Sequence, residues 1–83
     1  MGNSRPQPRR LASKLLQIRM KLDLTQEQMA ERVKTGRSPV YPGHVSEFER
    51  GKREPSLLAL LRYARAAGVA VDVLIDDALN LED

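Results

Sequence analysis

One short stretch, residues 41–56, limits most strongly what this chain can fold into. It reads YPGHVSEFERGKREPS. Pro42 suits the first position of a helix, because its φ is already helical and its missing N–H is not needed there. Gly51 is a typical helix end. The stretch therefore predicts a short helix, closed at both ends, whose inner side carries Val45 and Phe48 at positions i and i+3.

Apolar residues at helical spacing predict four further helices. The first has a stripe of leucine and isoleucine at spacings of four, three and four. The second begins at Thr25, which forms a capping box with Gln28 three residues later. The segment VAVDVLI, residues 69–75, favours a strand by propensity, but a lone strand would have no partner, so a helix is predicted there. The predicted helices span residues 9–22, 26–33, about 42–50, 57–67 and 71–77.

The same spacing predicts which side chains face the core. On the first helix, the charged residues, Lys14 among them, lie largely off the apolar stripe. The methionine thioethers are expected to fill core space rather than bind a ligand. The residues expected to face inward are Leu11, Leu15, Ile18, Met20, Leu22, Met29, Ala30, Val33, Val45, Phe48, Leu57, Leu60, Leu61, Ala64, Val71, Leu74 and Ile75.

Segments without periodicity mark the ends of the domain and one internal loop. Residues 1–8, MGNSRPQP, predict a flexible N-terminal arm, and residues 78–83 predict an acidic C-terminal tail around a domain at 9–77. Residues 34–41, KTGRSPVY, predict an exposed loop, because glycine, serine and proline interrupt the helical pattern. This loop joins the second and third helices.

Composition narrows the class of protein. The 83 residues form one small domain without cysteine, which excludes disulfides, thiolate metal sites and a thiol nucleophile. No secretory leader is evident, so we expect a cytoplasmic protein. The longest apolar run, LLALL at residues 57–61, is far too short to cross a bilayer, so no membrane partner is expected.

The charge is divided unevenly along the chain. Residues 1–53 hold twelve Lys and Arg against five Asp and Glu, a net charge of +7. Residues 54–83 hold two Arg against six acids, a net charge of −4. This division is typical of a basic face for a polyanion, with ordinary solvated faces as the alternative. Only three aromatic residues are present, too few for a base-stacking platform, so duplex nucleic acid is favoured over single strands.

Nothing in the sequence indicates an enzyme. The chain has one histidine, no cysteine and no glycine-rich phosphate loop. Asp76 and Asp77 are adjacent, so on a helix their side chains diverge by about 100° and do not form a catalytic or metal-binding pair. We therefore predict no catalytic residue, no metal site and no cofactor.

Three stretches together resemble a known family. The stretches LTQEQMAERV, VSEFERGKREPS and LLRYARAAGVAVDVLI are similar to the helix-turn-helix domain of the XRE family, which includes the phage lambda and Cro repressors. The resemblance covers about residues 11–75. It implies an all-α, compact five-helix lambda-repressor-like domain that forms a homodimer on two-fold operators. It also implies that helices two and three form the helix-turn-helix and that helix three lies in the major groove of double-stranded DNA. The chain departs from the family in its enlarged loop between helices two and three, since such turns normally take about three to four residues.

The resemblance and the basic run predict a set of DNA contacts. The resemblance implies base contacts from Pro42, Gly43, His44 and Glu47. It also implies a phosphate contact from Gln26. The residues beside helix three and those of the enlarged loop are expected to add phosphate contacts from Arg50, Lys52, Arg53, Arg37 and Ser38.

Each of these contacts has a structural alternative. His44 could instead cap its own helix, and Glu47 could pair with Arg50 or Arg37. The loop could be a tolerated surface insertion, and the basic run a solvated surface. Glu49 is predicted to make an internal ion pair with Arg19 or Arg62.

Two functional hypotheses follow. The first is sequence-specific binding of double-stranded DNA by a transcriptional regulator, a repressor. The alternative is an antitoxin or partner-binding subunit of the same fold, which autoregulates its own operon. It would hold a protein partner, a toxin, through the acidic end that contains Leu79 and Leu81.

Overall fold

The chain folds into five helices. The computed structural model describes residues 8–81, so residues 1–7 of the predicted arm and residues 82–83 of the predicted tail lie outside the described part. The five-helix all-α prediction is confirmed, and every helix boundary lies within two residues of its predicted position. The helices are α1 Leu11–Lys21, α2 Gln26–Val33, α3 Pro42–Glu49, α4 Leu57–Ala67 and α5 Val71–Ile75.

Local capping determines where α2 and α4 begin and where α4 ends. The predicted capping box closes α2: the N–H of Gln28 donates to Thr25 Oγ1 at 3.1 Å, and the N–H of Thr25 donates to Gln28 Oε1 at 2.9 Å. The hydroxyl of Ser56 accepts from the N–H of Ala59 at 3.1 Å at the start of α4. Gly68 ends α4 with a φ of 71°, in the left-handed region that glycine adopts without strain.

The core is formed by side chains from all five helices and one loop residue. Tyr63 of α4 is fully buried and meets Phe48 of α3 edge-on, with ring centroids 6.4 Å apart. The buried core residues are Leu11, Leu15, Ile18, Met29, Ala30, Val33, Val40, Val45, Phe48, Ala59, Leu60, Tyr63, Ala64 and Leu74.

The inner face of α4 is rotated from the predicted one. Leu57 was predicted to be buried, but it is 84 % exposed, whereas Ala59 and Tyr63 are buried. The large ring of Tyr63 takes the place beside Phe48 and turns the leucine outward. The spacing of the leucines alone therefore predicts the wrong buried face for α4.

Two other apolar predictions are wrong for related reasons. Met20 is 64 % exposed because it lies on α1 opposite the buried stripe of Leu11, Leu15 and Ile18. Ile75, the last residue of α5, is 44 % exposed, while Leu74 alone of that helix is buried. Helices this small bury one narrow face.

Lys14 is a fully buried charged residue, although the sequence placed it off the core stripe. It is 1 % exposed. Its Nζ donates to the carbonyl oxygens of Val73 at 2.7 Å and Asp76 at 3.0 Å. Carbonyls at the end of a helix lack partners within that helix, so α5 ends on a cation supplied by α1.

The C-terminal segment is tied to the start of α1. The carboxylate of Asp77 accepts from the backbone N–H groups of Arg9 at 2.9 Å and Arg10 at 3.0 Å. The guanidinium of Arg10 donates in return to the carbonyls of Asp77 and Leu79 and to Asn80 Oδ1. The two N–H groups lower the pKa of Asp77 below its ordinary value.

This contact predicts a measurable loss of stability in acid. Because the pKa of Asp77 is lower in the folded state than in the unfolded state, its contribution is present above the unfolded pKa of about 4. That contribution is lost as the pH falls through the folded pKa. We expect Asp77→Asn to make the free energy of unfolding depend less steeply on pH in this acid range, measured by urea unfolding between about pH 7 and pH 2. Asp72→Asn, which removes an exposed acid without a side-chain hydrogen bond among residues 8–81, is the matched control. Identical pH profiles for the wild type and Asp77→Asn would contradict this role.

Candidate nucleic-acid interface

Helix α3 has one side buried in the core and one side that faces away from it, which we call the presented side. Val45 and Phe48 are buried in the core, as the sequence predicted. Pro42 and Gly43 are exposed at the start of the helix, and Pro42 occupies a first-turn position. Two anchored side chains on a two-turn helix fix its rotation, so the residues on the other side have a defined direction.

Gly43 is not required by the fold. Its φ is not in the left-handed region, and a Cβ built on it would meet no atom within 4 Å. Glycine within a helix costs about 1 kcal/mol relative to alanine. Neither packing nor backbone conformation of the domain explains why this position lacks a side chain.

His44 lies in the first turn of α3 and is half-buried. The N–H of Tyr41 donates to His44 Nδ1 at 3.3 Å, and the two rings lie 5.3 Å apart. The predicted alternative, in which His44 caps its own helix, is thus present. Because Nδ1 accepts, a neutral ring carries its proton on Nε2, which leaves a donor for another partner.

Glu47 pairs with a residue that the sequence did not indicate. Its Oε1 accepts from Arg53 Nε at 2.5 Å, and this hydrogen bond lowers the pKa of Glu47. The predicted partners Arg50 and Arg37 were therefore wrong. A spacing of six residues brings no two side chains together on a helix, and the pair forms only because the chain turns at Gly51, whose φ is +73°.

Three basic side chains follow α3 in one exposed turn. We call Arg50, Lys52 and Arg53 the basic turn; all three are exposed. The turn is held by its backbone, since the N–H of Lys52 donates to the carbonyl of Glu47 at 2.8 Å. The turn therefore carries three positive charges directly beside the presented side of α3.

A buried ion pair joins α1 to the end of α3. Arg19 donates to Glu49 through Nε at 2.6 Å and through its second amino group at 3.0 Å, and to the carbonyl of Leu24 at 3.0 Å. The side chains are only 16 % and 5 % exposed, and the hydrogen bond with Glu49 raises the pKa of Arg19. The predicted ion pair of Glu49 with Arg19 is confirmed.

Gln26 belongs to the same network. Its Nε2 donates to Glu49 Oε1 at 3.1 Å, which ties the start of α2 to the end of α3. An amide nitrogen has two donors, so one N–H of Gln26 is still available to an outside acceptor. Its predicted phosphate contact stays a prediction.

The enlarged loop contains a paired turn. Thr35 and Ser38 exchange backbone hydrogen bonds of 3.1 and 3.2 Å, with Gly36 and Arg37 at the exposed tip. The hydroxyls of Ser38 and Ser56 lie 2.7 Å apart, which joins this turn to the start of α4. The side chain of Arg37 makes no hydrogen bond or ion pair with residues 8–81.

The loop is also anchored from within. Val40 was predicted to lie in an exposed loop, but it is 6 % exposed and belongs to the core. One valine outside any helical period gives no sequence signal for burial. Its position brings the chain back to the core immediately before α3 begins.

The comparisons with known proteins agree with this geometry. The sequence model of the helix-turn-helix family matches residues 15–74. The chain belongs to the XRE-type helix-turn-helix family. It is also similar to the crystal structure of the P22 c2 repressor protein in complex with a synthetic operator, with a TM-score of 0.68 and 25 % sequence identity. This match covers 81 % of the present chain and 94 % of that chain.

These findings bound the function. Family and structural match together support a DNA-binding transcription regulator. No curated protein matches this sequence at a significant level. Among residues 8–81, no helix is long and apolar enough to span a membrane, and no cluster of His, Asp and Glu could hold a metal ion.

The buried and exposed ion pairs predict different costs of disruption. Glu49→Leu leaves the guanidinium of Arg19 buried without its partner, and we expect a loss of about 3 kcal/mol in the free energy of unfolding. The double variant Arg19→Met/Glu49→Leu should regain much of this loss, because no unpaired charge is left. Arg53→Gln, which breaks the exposed pair with Glu47, is the control and should change stability little. Urea unfolding measures all three; equal effects of Glu49→Leu and Arg53→Gln would refute the assignment.

Proposed function

We propose that this chain is a sequence-specific repressor that binds double-stranded DNA as a homodimer, with α3 in the major groove. The observation that carries the proposal is the two-sided character of α3. Val45, Phe48 and Glu49 attach one side to the core, and the other side ends in the basic turn. A rigid helix flanked by cations is what groove binding needs, since phosphates position the protein and base edges specify the site.

The proposed base contacts come from few side chains. His44 offers its Nε2–H to a guanine or a phosphate, and Glu47 offers a carboxylate oxygen to a cytosine amino group. Each good contact contributes roughly 1–3 kcal/mol of discrimination. The carboxylate of Glu47 has two oxygens, so it can keep Arg53 and accept from a base together. Arg53 then also shields Glu47 from repulsion by nearby phosphates.

Pro42 and Gly43 serve a different purpose in this proposal. Neither can read a base edge by a side-chain hydrogen bond. A helix start without bulky side chains lets the backbone of α3 approach the DNA closely. Gly43 fits this purpose because its lack of a side chain has no explanation within the domain.

The proposed phosphate contacts surround α3. Arg50, Lys52 and Arg53 would lie along one phosphate strand beyond the end of the helix. Gln26 would use its free N–H, and Arg37 would reach out from the tip of the loop. Ser38 would contribute its hydroxyl proton when Ser56 donates in their mutual hydrogen bond.

The alternative of a partner-binding antitoxin gains little support. It rested on Leu79 and Leu81 in the acidic tail. Leu81 packs against the core of its own domain, and Arg10 binds the carbonyl of Leu79. Leu81 is therefore occupied within its own domain, whereas the side chain of Leu79 is 39 % exposed. We favour the repressor because the family and structural matches support a DNA-binding regulator.

The basic turn provides the test of DNA binding. We expect the triple variant Arg50→Ala/Lys52→Ala/Arg53→Ala to bind duplex DNA more weakly and with a shallower salt dependence. The slope of log K against log salt should fall by about 0.9 for each phosphate that the variant no longer neutralises. Fluorescence anisotropy with duplexes selected from random sequences measures both quantities. Unchanged affinity at every salt concentration, with the fold intact by circular dichroism, would refute the proposed interface.

A substitution at Gly43 should change the stability of the fold and the affinity for DNA in opposite directions. Because its position is helical and open, Gly43→Ala should raise the free energy of unfolding by roughly 0.5–1 kcal/mol. The same change should weaken binding to the selected duplex, since the methyl group would hold the helix start away from the DNA. Gly36→Ala, at another open glycine, is the control for binding. A stabilised Gly43→Ala that binds DNA as tightly as the wild type would argue against close approach at this point.

A further inference from the structure

Three arginines line one surface cleft where α2 meets α4. Arg32 comes from α2, and Arg62 and Arg65 come from α4; with Ala66 they line a cleft of about 220 Å³. All three arginines are exposed. We call this the arginine cleft. No residue of α3 or of the basic turn lines it, so it is separate from the proposed groove-binding surface.

The arginine cleft is positively charged, whereas the C-terminal part of the sequence, which supplies two of its arginines, is acidic. Residues 54–83 contain six acids and only two basic residues, Arg62 and Arg65, and both basic residues lie here. Within residues 8–81, none of the three guanidinium groups pairs with a carboxylate. The neighbouring acid on α2, Glu31, is bonded to Lys34 at 3.0 Å. The positive charge of the cleft is therefore not neutralised by the described part of the domain.

The cleft is formed in advance of any ligand. Arg62 donates through its second amino group to the carbonyl oxygen of Arg32 at 3.4 Å, so it lies across the end of α2. Arg32 and Arg65 stand in the last turns of their helices, where the helix dipole stabilises a cation. The hydrogen bond holds Arg62 beside Arg32, and the mutual repulsion of the three like charges favours a bound anion.

The geometry points to a phosphoryl group as the ligand. We propose that the arginine cleft binds a phosphoryl oxyanion, an activity beyond the proposed binding of α3 in the major groove. Guanidinium groups present paired N–H donors that match the oxygens of phosphate, and charge-assisted bonds of this kind are strong. The phosphoryl group could belong to the DNA backbone or to a free phosphorylated small molecule, and the two sources are distinguishable by experiment.

The first arm of the test uses free anions and needs no DNA. Inorganic phosphate and pyrophosphate are titrated into the ¹⁵N-labelled full chain at constant ionic strength. We expect saturable shifts of the amide signals of Arg32, Arg62 and Arg65. Arg62→Gln/Arg65→Gln should weaken pyrophosphate binding about tenfold, because the variant lacks two charge-assisted donors. Arg65→Lys keeps the positive charge but loses the paired N–H donors of the guanidinium group, so it should weaken pyrophosphate binding by a smaller factor.

The control is Arg9→Gln, which removes one exposed positive charge outside the cleft, at a residue with no proposed phosphate contact, and should leave anion binding unchanged. Circular dichroism and the dispersion of the amide spectrum check that each variant folds. Absence of saturable shifts at the cleft in the wild type, or equal weakening by Arg9→Gln and by the double variant, would overturn the proposal. The latter result would mean that the anion responds only to total charge.

The second arm identifies the source of the phosphoryl group. For a DNA phosphate, Arg62→Gln/Arg65→Gln should lower the slope of log K against log salt for duplex binding by about 0.9 for each phosphate that is no longer neutralised. For a free ligand, that slope should stay unchanged while pyrophosphate binding is weakened about tenfold. Failure of duplex binding altogether would count against the repressor proposal alone, because the phosphate titration tests the cleft independently of DNA.

Discussion

The buried ion pair between Arg19 and Glu49 is the interaction on which the presented surface depends. It joins α1 to the end of α3, and Gln26 extends it to the start of α2. The pair is bidentate and largely withdrawn from water, so its geometry is much more restrictive than that of a surface ion pair. The angle between the two helices of the helix-turn-helix is thereby held by directed bonds as well as by packing.

Two glutamates of α3 have different roles: one holds helices together, and the other is proposed to contact DNA. Glu49 faces inward and accepts from Arg19 and Gln26. Glu47, two residues before it in the chain, lies about 200° round the helix and pairs with Arg53 at the surface. The carboxylate of Glu49 fixes α3 to α1 and α2, whereas the carboxylate of Glu47 lies at the surface, where we propose that it contacts a base. Burial, rather than residue type, makes this difference.

Much of the fold and part of the site could be predicted from local patterns. The ends of α2 and α4 follow from Thr25, Ser56 and Gly68, because capping acts between residues three or four apart. The inward direction of Val45 and Phe48 follows from helical spacing. Glu47 and Arg53 could not be paired in advance, because their contact depends on the path of the chain beyond α3. The arginine cleft could not be predicted from the sequence either, because thirty residues separate Arg32 from Arg62.

The sequence by itself determined the number of helices, their ends and their family, because these properties rest on local backbone chemistry and on short motifs. The tertiary structure alone decided which face of α4 is buried and that the charge of Lys14 lies inside the domain. It turned Leu57 outward to place Tyr63 beside Phe48, and it buried Lys14 so that α5 could end on a cation. The physical reason is that burial depends on what lies opposite a side chain, and that neighbour is supplied by a distant part of the chain.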